Sequence, residues 1–163
     1  MDGGPVDLEK LRNLVMRVLD SQRTLAIATL RPDGWPQATI VGFVHEELTL
    51  YFVVARTSQK FANVQRERRV SLAVGASSAG CEPVRGLSMA ANVREVDDPA
   101  EIERINLLAQ VRYPKSAIFA PRAAACAVLR ADPMVISLVD ESEGFAQPVL
   151  LKVRARTELE MAD

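Results

Sequence analysis

The chain has 163 residues, of which 48% are hydrophobic and 25% are charged, and its formal net charge is −1 at pH 7. This length and composition are typical of a single folded domain spanning residues 1–163 and exclude a disordered chain. Because 20 basic residues face 21 acidic ones, no overall field attracts nucleic acid or an anionic membrane, and we expect neither as a partner.

The first twenty residues predict an amphipathic helix and no targeting segment. Charges occur throughout this stretch, and no apolar run approaches the ~20 residues of a membrane span or the core of a secretion signal. Leucines and valines recur at intervals of three or four over residues 8–19, which indicates one buried helical face. Asp7 is placed to cap the start of this helix.

Alternating apolar segments then predict an antiparallel meander. Residues 24–30 form a short apolar run that ends at a Pro-Asp-Gly turn, and residues 36–45 supply the second arm of the hairpin. Residues 48–54 predict a third strand, and residues 70–76 a fourth. A fifth strand is predicted over residues 84–96, with Gly86 as a candidate bulge.

The second half of the chain predicts one long helix and the closing strands. Asp98 as cap, Pro99 at the first helical position and Glu101 reaching back to the cap mark a helix start, and Tyr113-Pro114 marks its end. Residues 115–125 show no clear pattern, residues 126–140 predict one or two strands, and 148–153 a last one. The whole predicts an α+β fold, a mostly antiparallel split β-barrel of six to seven strands with flanking helices.

Residues 56–60, Arg-Thr-Ser-Gln-Lys, interrupt this apolar rhythm between the third strand and a short helix predicted over 58–67. The first N–H groups of a helix lack internal partners, so such a junction can receive a phosphate. Thr57 and Ser58 add hydroxyls, Gln59 adds an amide, and Lys60 adds a mobile positive charge. The alternative interpretation is that Ser58 only caps the helix and Lys60 is exposed.

Three segments carry a family resemblance: TLAIATLRPDGWPQATIVGFV, LTLYFVVARTSQKFANVQRERRVSLAVG and VRGLSMAANVREVDDP. Together they resemble the pyridoxamine 5'-phosphate oxidase-like family of flavin-binding split barrels over about residues 24–113. The resemblance implies a homodimer with FMN in a groove at the subunit interface. It implies that the backbone of Val53 and Val54 lies beside the flavin ring, and that Ser58 and Lys60 bind the phosphate.

The chain departs from the family pattern where positive charge is common. Gln59 stands where an arginine is frequent, and Thr39 stands at a position on the second strand that is usually basic. Loss of two cations weakens the hold on a dianion, since charge-assisted hydrogen bonds are about twice as strong as neutral ones. Relatives of this barrel bind the deazaflavin F420 or handle haem, so both remain alternatives to FMN. Residues 143–147 replace a family segment that often carries a lysine and a histidine.

No acid–base machinery is evident in the sequence. The single histidine, His45, ends an apolar strand and is expected to be structural or exposed. Cys81 and Cys126 lack metal-ligand spacing and indicate reduced thiols and a cytoplasmic location. Trp35 follows the hairpin turn, where it either stacks on a partner or covers a neighbouring strand.

Two functional hypotheses follow from the family resemblance. The first is an FMN-dependent oxidoreductase that acts on a small organic molecule at a dimer interface, since a flavin carries its own redox chemistry. The alternative is a non-catalytic module that binds or stores flavin, F420 or haem. Basic groups for a second phosphate are not found, so oxidation of a vitamin B6 phosphate is not assigned.

Overall fold

A computed structural model describes residues 7–76, 83–114 and 125–162. The helices in these ranges are α1 (Leu8–Ser21), α2 (Gln59–Arg66) and α3 (Pro99–Arg112). The strands are β1 (Thr24–Leu30), β2 (Pro36–Gly42), β3 (Val44–Glu46), β4 (Thr49–Ala55), β5 (Arg69–Ala76), β6 (Arg85–Glu95), β7 (Cys126–Asp140), β8 (Phe145–Ala155) and β9 (Glu158–Met161). Cys81, most of the loop predicted before the fifth strand and residues 115–124 lie outside the described ranges.

The strands form one antiparallel sheet in the order β2-β1-β5-β6-β7-β4-β3, and β8 and β9 continue from β7. The 15-residue β7 makes this possible, because its first part pairs with β4 and its last part pairs with β8, while β6 runs along its other edge. The sheet does not close between β2 and β3. The expected α+β split barrel is thereby confirmed.

The nine described strands exceed the six to seven expected from the sequence. The predicted second arm is divided at Phe43, whose fully buried side chain turns into the core and separates β2 from β3. The charged tail forms β9, which pairs with β8. Its residues carry little apolar periodicity of their own, so this pairing was not visible in the sequence.

The irregularity predicted at Gly86 lies elsewhere. Gly86 pairs in regular register with Gly75, and the register shift of β6 falls between Ala90 and Ala91. The reason for glycine at position 86 is close approach of the neighbouring strand, because a Cβ atom there would lie 3.2 Å from the carbonyl oxygen of Val74. The prediction of a bulge at this glycine was therefore wrong.

Each of the three helices begins at the predicted capping residue. The side chains of Asp7, Ser58 and Asp98 accept hydrogen bonds from backbone N–H groups of the first turns of α1, α2 and α3. The second half of the predicted capping box was wrong, since the Glu101 side chain accepts a hydrogen bond from the Tyr51 hydroxyl instead.

Hydrophobic side chains form two clusters on opposite faces of β4. Leu50, Phe52 and Val54 point into the main barrel core, whereas Tyr51 belongs to a second cluster with Ile105 of α3. The helix α3 therefore covers the outer face of β4 and β7. No described helix has the length and apolar character required to cross a membrane.

Candidate functional site

A tight turn links β4 to α2 and presents the predicted phosphate loop. The Ser58 N–H donates to the Ala55 carbonyl oxygen at 2.9 Å, and the Ser58 Oγ donates to the same oxygen at 2.7 Å. The Ser58 Oγ also accepts a hydrogen bond from the N–H of Phe61 at 3.3 Å. Ser58 therefore caps α2 and fixes the loop at the point where β4 ends, whereas Lys60 is half-buried and not exposed as the alternative interpretation expected.

Lys60 lies in the first turn of α2 and is half-buried. Among the described residues, no carboxylate forms an ion pair with its ammonium group. Thr57 is exposed at the turn before it. A mobile cation therefore stands beside the first N–H groups of a helix, which is an arrangement suited to an anionic ligand.

A buried amide network holds α2 against the β1–β2 hairpin. Asn63, which is 1% exposed, donates from Nδ2 to the Thr29 hydroxyl at 3.0 Å and to the Gln37 Oε1 at 3.2 Å. Gln59 Nε2 in turn donates to the Asn63 Oδ1 at 2.9 Å. The Gln59 amide is therefore engaged within the helix. Asn63 was missed in the sequence, although a polar residue on the apolar face that contains Val64 was a usable signal.

Substituting Asn63 by alanine is expected to lower the free energy of unfolding by about 2–3 kcal/mol, because several buried polar groups lose their partner at once. Asn13→Ala, at an exposed position of α1, is the matched control and should change stability by less than about 0.5 kcal/mol. Urea denaturation of the three proteins measures the difference. Equal losses in both variants would show that the network does not hold α2 in place.

The unpaired edges of β2 and β4 lie near each other, and we call the gap between them the cleft. β2 pairs only with β1, and β4 pairs only with β7 beyond Tyr51, so the two strands approach each other without pairing. Val53, which is partly exposed, and the buried Val54 lie on this stretch of β4. One edge of the β4 backbone is therefore left without a strand partner beside the predicted flavin ring position.

Thr39 lies on β2, on the same face as Gln37. Its Oγ1 atom is buried and has no hydrogen-bond partner among the described residues. Buried hydroxyls are almost always bonded, so this atom fits a site that is completed by a ligand oxygen or a water molecule. Thr39 carries no charge, so it could contribute only a hydroxyl hydrogen bond to the binding of a ligand.

The loop at residues 56–60 carries two cations, Arg56 and Lys60. Arg56, which begins the loop, forms an ion pair with Glu95 and lies 5.5 Å from the centroid of the Phe61 ring. Its charge is already partly neutralised by the carboxylate. Lys60 is therefore the cation of the loop that is available to a ligand.

A second polar cluster lies under α3, on the opposite face of β4 from the barrel core. Tyr51 is fully buried, donates to the Glu101 Oε1 at 2.8 Å and accepts a hydrogen bond from Arg156 at 2.6 Å. Burial, followed by the bond to Glu101, raises the pKa of Tyr51 to about 12. Burial also raises the pKa of Glu101, but the bond from Tyr51 and the charges of Arg130 and Arg94 outweigh it, so that this pKa lies below its ordinary value.

His45 does not face the cleft. Its side chain is 6% exposed, its Nε2 lies 3.1 Å from the Asp20 Oδ1, and its Nδ1 lies 3.0 Å from the Glu47 carbonyl oxygen. The structural role predicted for this histidine matches these contacts. In the described ranges, no group of three or more His, Cys, Asp and Glu side chains could hold a metal ion. Cys126 is a free, partly buried thiol.

These features define the class of protein: an open antiparallel split barrel with a helix-capping loop at the end of one central strand. A sequence model of the family described as pyridoxamine 5'-phosphate oxidase matches residues 11–140. The chain belongs to this family. No curated protein matches the chain in sequence.

Solved structures share the fold at low sequence identity. ChuZ from Campylobacter jejuni superposes with a TM-score of 0.75 and 13% identity over 90% of this chain and 61% of its own, so the chain spans less than two thirds of ChuZ. A Clostridium acetobutylicum protein of the pyridoxinephosphate oxidase family gives a TM-score of 0.66 and 14% identity over 91% and 97% of the two chains. HutZ, the haem storage protein of Vibrio cholerae, superposes with a TM-score of 0.64 and 16% identity over 78% of this chain and 91% of its own.

Proposed function

We propose that the chain binds FMN in the cleft between β2 and β4, with the phosphate at the start of α2. The observation that carries this proposal is Lys60, which lies in the first turn after the Ser58 cap and forms no ion pair within the described part of the chain. It follows a strand, β4, that has a free edge among the described strands. Family membership supports a phosphorylated planar ligand at this place. The buried Thr39 hydroxyl, which has no hydrogen-bond partner among the described residues, is proposed to face the same cleft.

Each predicted residue has a distinct part in this proposal. Lys60 neutralises phosphate charge, and Thr57 and the α2 N–H groups donate hydrogen bonds to phosphate oxygens. Ser58 chiefly holds the loop in shape, since its hydroxyl already bonds to Ala55 and Phe61. The backbone at Val53 and Val54 lies along the ring. Gln59 acts through Asn63 and positions α2.

The proposed activity is oxidoreduction of a small organic molecule at a homodimer interface in the cytoplasm. A bound flavin supplies hydride and electron transfer. The chain's part is to bind and orient the ring and to keep water from one of its faces, which needs no nucleophile or general base. The partly buried free thiol of Cys126 is compatible with the reducing compartment that the proposal assigns.

A haem or F420 storage module is the alternative, and the fold shared with HutZ favours it. Against histidine ligation of haem, the single histidine of the chain is buried and both of its ring nitrogens lie beside protein acceptors. A deazaflavin would use the same cleft and the same lysine. FMN is proposed before haem because the available cation lies where a terminal phosphate is expected, and before F420 because the family resemblance implies FMN.

The test is the absorption spectrum of the freshly purified protein, followed by extraction of any bound cofactor and titration with FMN. A yellow protein, or a colourless one that binds about one FMN per chain, is the expected result. A protein that takes up haem or F420 and ignores FMN would overturn the proposal. Turnover with reduced nicotinamides and common acceptors then separates an oxidoreductase from a storage module.

A further inference from the structure

A small cavity lies at the opposite end of β4 from the candidate site. Its volume is about 220 Å³, and it is bordered by the start of β4, the middle of β7 and the end of β8. Thr49 begins β4 and Ala55 ends it, so at about 3.4 Å per residue the cavity is roughly 20 Å from the loop that carries Lys60. The cavity is therefore separate from the proposed flavin site.

The cavity forms because two neighbouring strands separate. The pairing of β7 with β8 reaches as far as Val135 and Lys152, and beyond Lys152 the strand β8 pairs with β9 alone. The next positions on β7 are Met134, which is the extra residue in the register shift against β6, and Pro133, which has no N–H to donate. These two residues prevent the sheet from closing at this point.

The walls of the cavity are mainly apolar. They include the side chains of Leu48, Pro133, Met134 and Val153. Met134 is 51% exposed. An apolar cavity of about 150 Å³ is large enough to bind benzene, so this volume can receive one ring or a branched chain together with a small polar group.

One guanidinium group at the cavity is held in place by neutral partners. Arg156 donates from Nε to the Thr49 hydroxyl at 3.2 Å and from a terminal nitrogen to the Tyr51 hydroxyl at 2.6 Å. Both hydroxyl-bearing residues are buried, and the Arg156 carbonyl oxygen accepts a hydrogen bond from the N–H of Leu48 at 3.1 Å. The guanidinium is therefore oriented before any ligand arrives, and the rest of its five N–H donors stay available.

The positive charge of Arg156 is weakly compensated. Within the described ranges, Glu46 is the only carboxylate that pairs with it, at 3.6 Å. Glu46 already accepts two hydrogen bonds from Arg104, at 2.7 and 3.0 Å. Asp132 also borders the cavity, but both of its oxygens accept from Arg130 Nε, at 2.9 and 3.0 Å. These carboxylates are therefore occupied by other cations.

The whole polar cluster under α3 has an excess of one positive charge. Its ion pairs join four guanidinium groups to three carboxylates: Arg94, Arg104, Arg130 and Arg156 to Glu46, Glu101 and Asp132. The remaining cation at the cavity, Arg154, is paired with Glu160 at 2.7 Å. The uncompensated charge therefore lies at Arg156, beside the apolar walls.

We infer that this cavity binds a small monocarboxylate with an apolar body of about one ring, and that Arg156 binds its carboxylate group. A guanidinium group matches a carboxylate in geometry as well as in charge, and apolar walls with one fixed polar group are typical of a small-molecule site. A second charge on the ligand would find no free partner, because Asp132 and Arg154 are already paired. The inference goes beyond the proposed flavin site and does not depend on it.

Benzoate is the probe, and benzamide is its neutral counterpart of the same shape. We expect the purified full chain to bind benzoate with a dissociation constant of about 0.1–1 mM, and benzamide at least about 10-fold more weakly, since benzamide cannot form the charge-assisted hydrogen bonds. Nuclear magnetic resonance of methionine methyl groups measures both titrations. The Met134 signal, assigned with Met134→Leu, should move as benzoate saturates the site.

Arg156→Gln should weaken benzoate binding at least about 10-fold and change benzamide binding by less than about twofold. Arg154→Gln is the matched control at the same cavity, and it should leave both ligands within about twofold, because the charge of Arg154 is already neutralised by Glu160. Ala155→Phe, which places a ring in the cavity, should remove binding of both ligands. Circular dichroism shows whether each variant is folded.

Three results would overturn the inference. They are benzoate binding that does not saturate, equal affinities for benzoate and benzamide, and saturation that leaves the Met134 signal unmoved. All three are measured on the unaltered chain, so they decide the question even if Arg156→Gln does not fold. Failure to bind FMN has no bearing on them, and failure to bind benzoate leaves the flavin proposal standing.

Discussion

Lys60→Ala should weaken FMN binding by about 10- to 100-fold, which corresponds to one charge-assisted hydrogen bond of ~1.5–3 kcal/mol. Lys60 is half-buried and has no ion-pair partner in the described part of the chain, so the substitution removes charge from a ligand and not from the fold. Titration of FMN fluorescence at low ionic strength measures the change, since salt screens this contact.

Riboflavin provides the internal control for this prediction, because it lacks the phosphate that Lys60 is proposed to bind. The dissociation constant of riboflavin should differ by less than about twofold between wild type and Lys60→Ala, because riboflavin makes no contact with Lys60 in the proposed site. Arg66→Ala, at the opposite end of α2, should leave both ligands unaffected. An equal loss for FMN and riboflavin would show that Lys60 acts on the ring or on the fold and not on the phosphate.

Glu101→Gln should lower the free energy of unfolding by about 2–4 kcal/mol, because removal of a buried charge leaves its partners uncompensated. The Glu101 side chain is only 11% exposed and lies 3.2 Å from Arg130 and 3.8 Å from Arg94, and it also accepts the Tyr51 hydroxyl. Glu103→Gln on the exposed side of α3 is the control and should change stability by less than about 0.5 kcal/mol. Chemical denaturation at pH 7 measures both.

The pH dependence of this difference follows from the lowered pKa of Glu101. Because the pKa of Glu101 is lower in the folded state, the unfolded chain binds a proton at a higher pH than the folded chain does as the pH falls. The stabilisation by the charged carboxylate is therefore present above the ordinary pKa of 4.5 and is lost as the pH falls below it. The difference in free energy of unfolding between wild type and Glu101→Gln should therefore become smaller as the pH falls below about 4.5. A difference that is absent at pH 7, or that is the same at pH 3, would contradict the role of the charge.

The fold was predictable where local chemistry decides it. Each helix starts at a capping Asp or Ser, and the strands between them are short apolar runs bounded by turns. The parts that were missed depend on distant partners. The strand β9 forms because it pairs with β8. The Glu101 side chain does not cap α3, because it accepts a hydrogen bond from the buried hydroxyl of Tyr51, fifty positions earlier in the sequence.

The candidate site also combines features that the local sequence predicts with features that depend on distant side chains. The loop around Ser58 and Lys60 stood out in the sequence because polar residues interrupt an apolar pattern. The engagement of Arg56 by Glu95 and of Gln59 by Asn63 could not be read there, since side-chain pairing across the fold has no local signature. These pairings leave one available cation on the loop, so under the flavin proposal the phosphate should be held less tightly than at a fully basic site.

The segment at residues 143–147 is another place where long-range contacts change the interpretation. Glu143 forms ion pairs with Arg17 at 3.1 Å and Lys10 at 3.3 Å, both on α1. Hydrogen bonds from these two side chains hold the pKa of Glu143 below its ordinary value. This chain thus uses a carboxylate to attach the turn before β8 to the first helix.

A crystal structure of the protein with FMN tests the central claim most directly. The proposal predicts the phosphate within hydrogen-bond distance of Lys60 Nζ and the first α2 N–H groups, and the ring along the open edge of β4 at Val53 and Val54. An FMN phosphate bound away from the start of α2, or a cleft filled by protein side chains while FMN lies elsewhere, would contradict it.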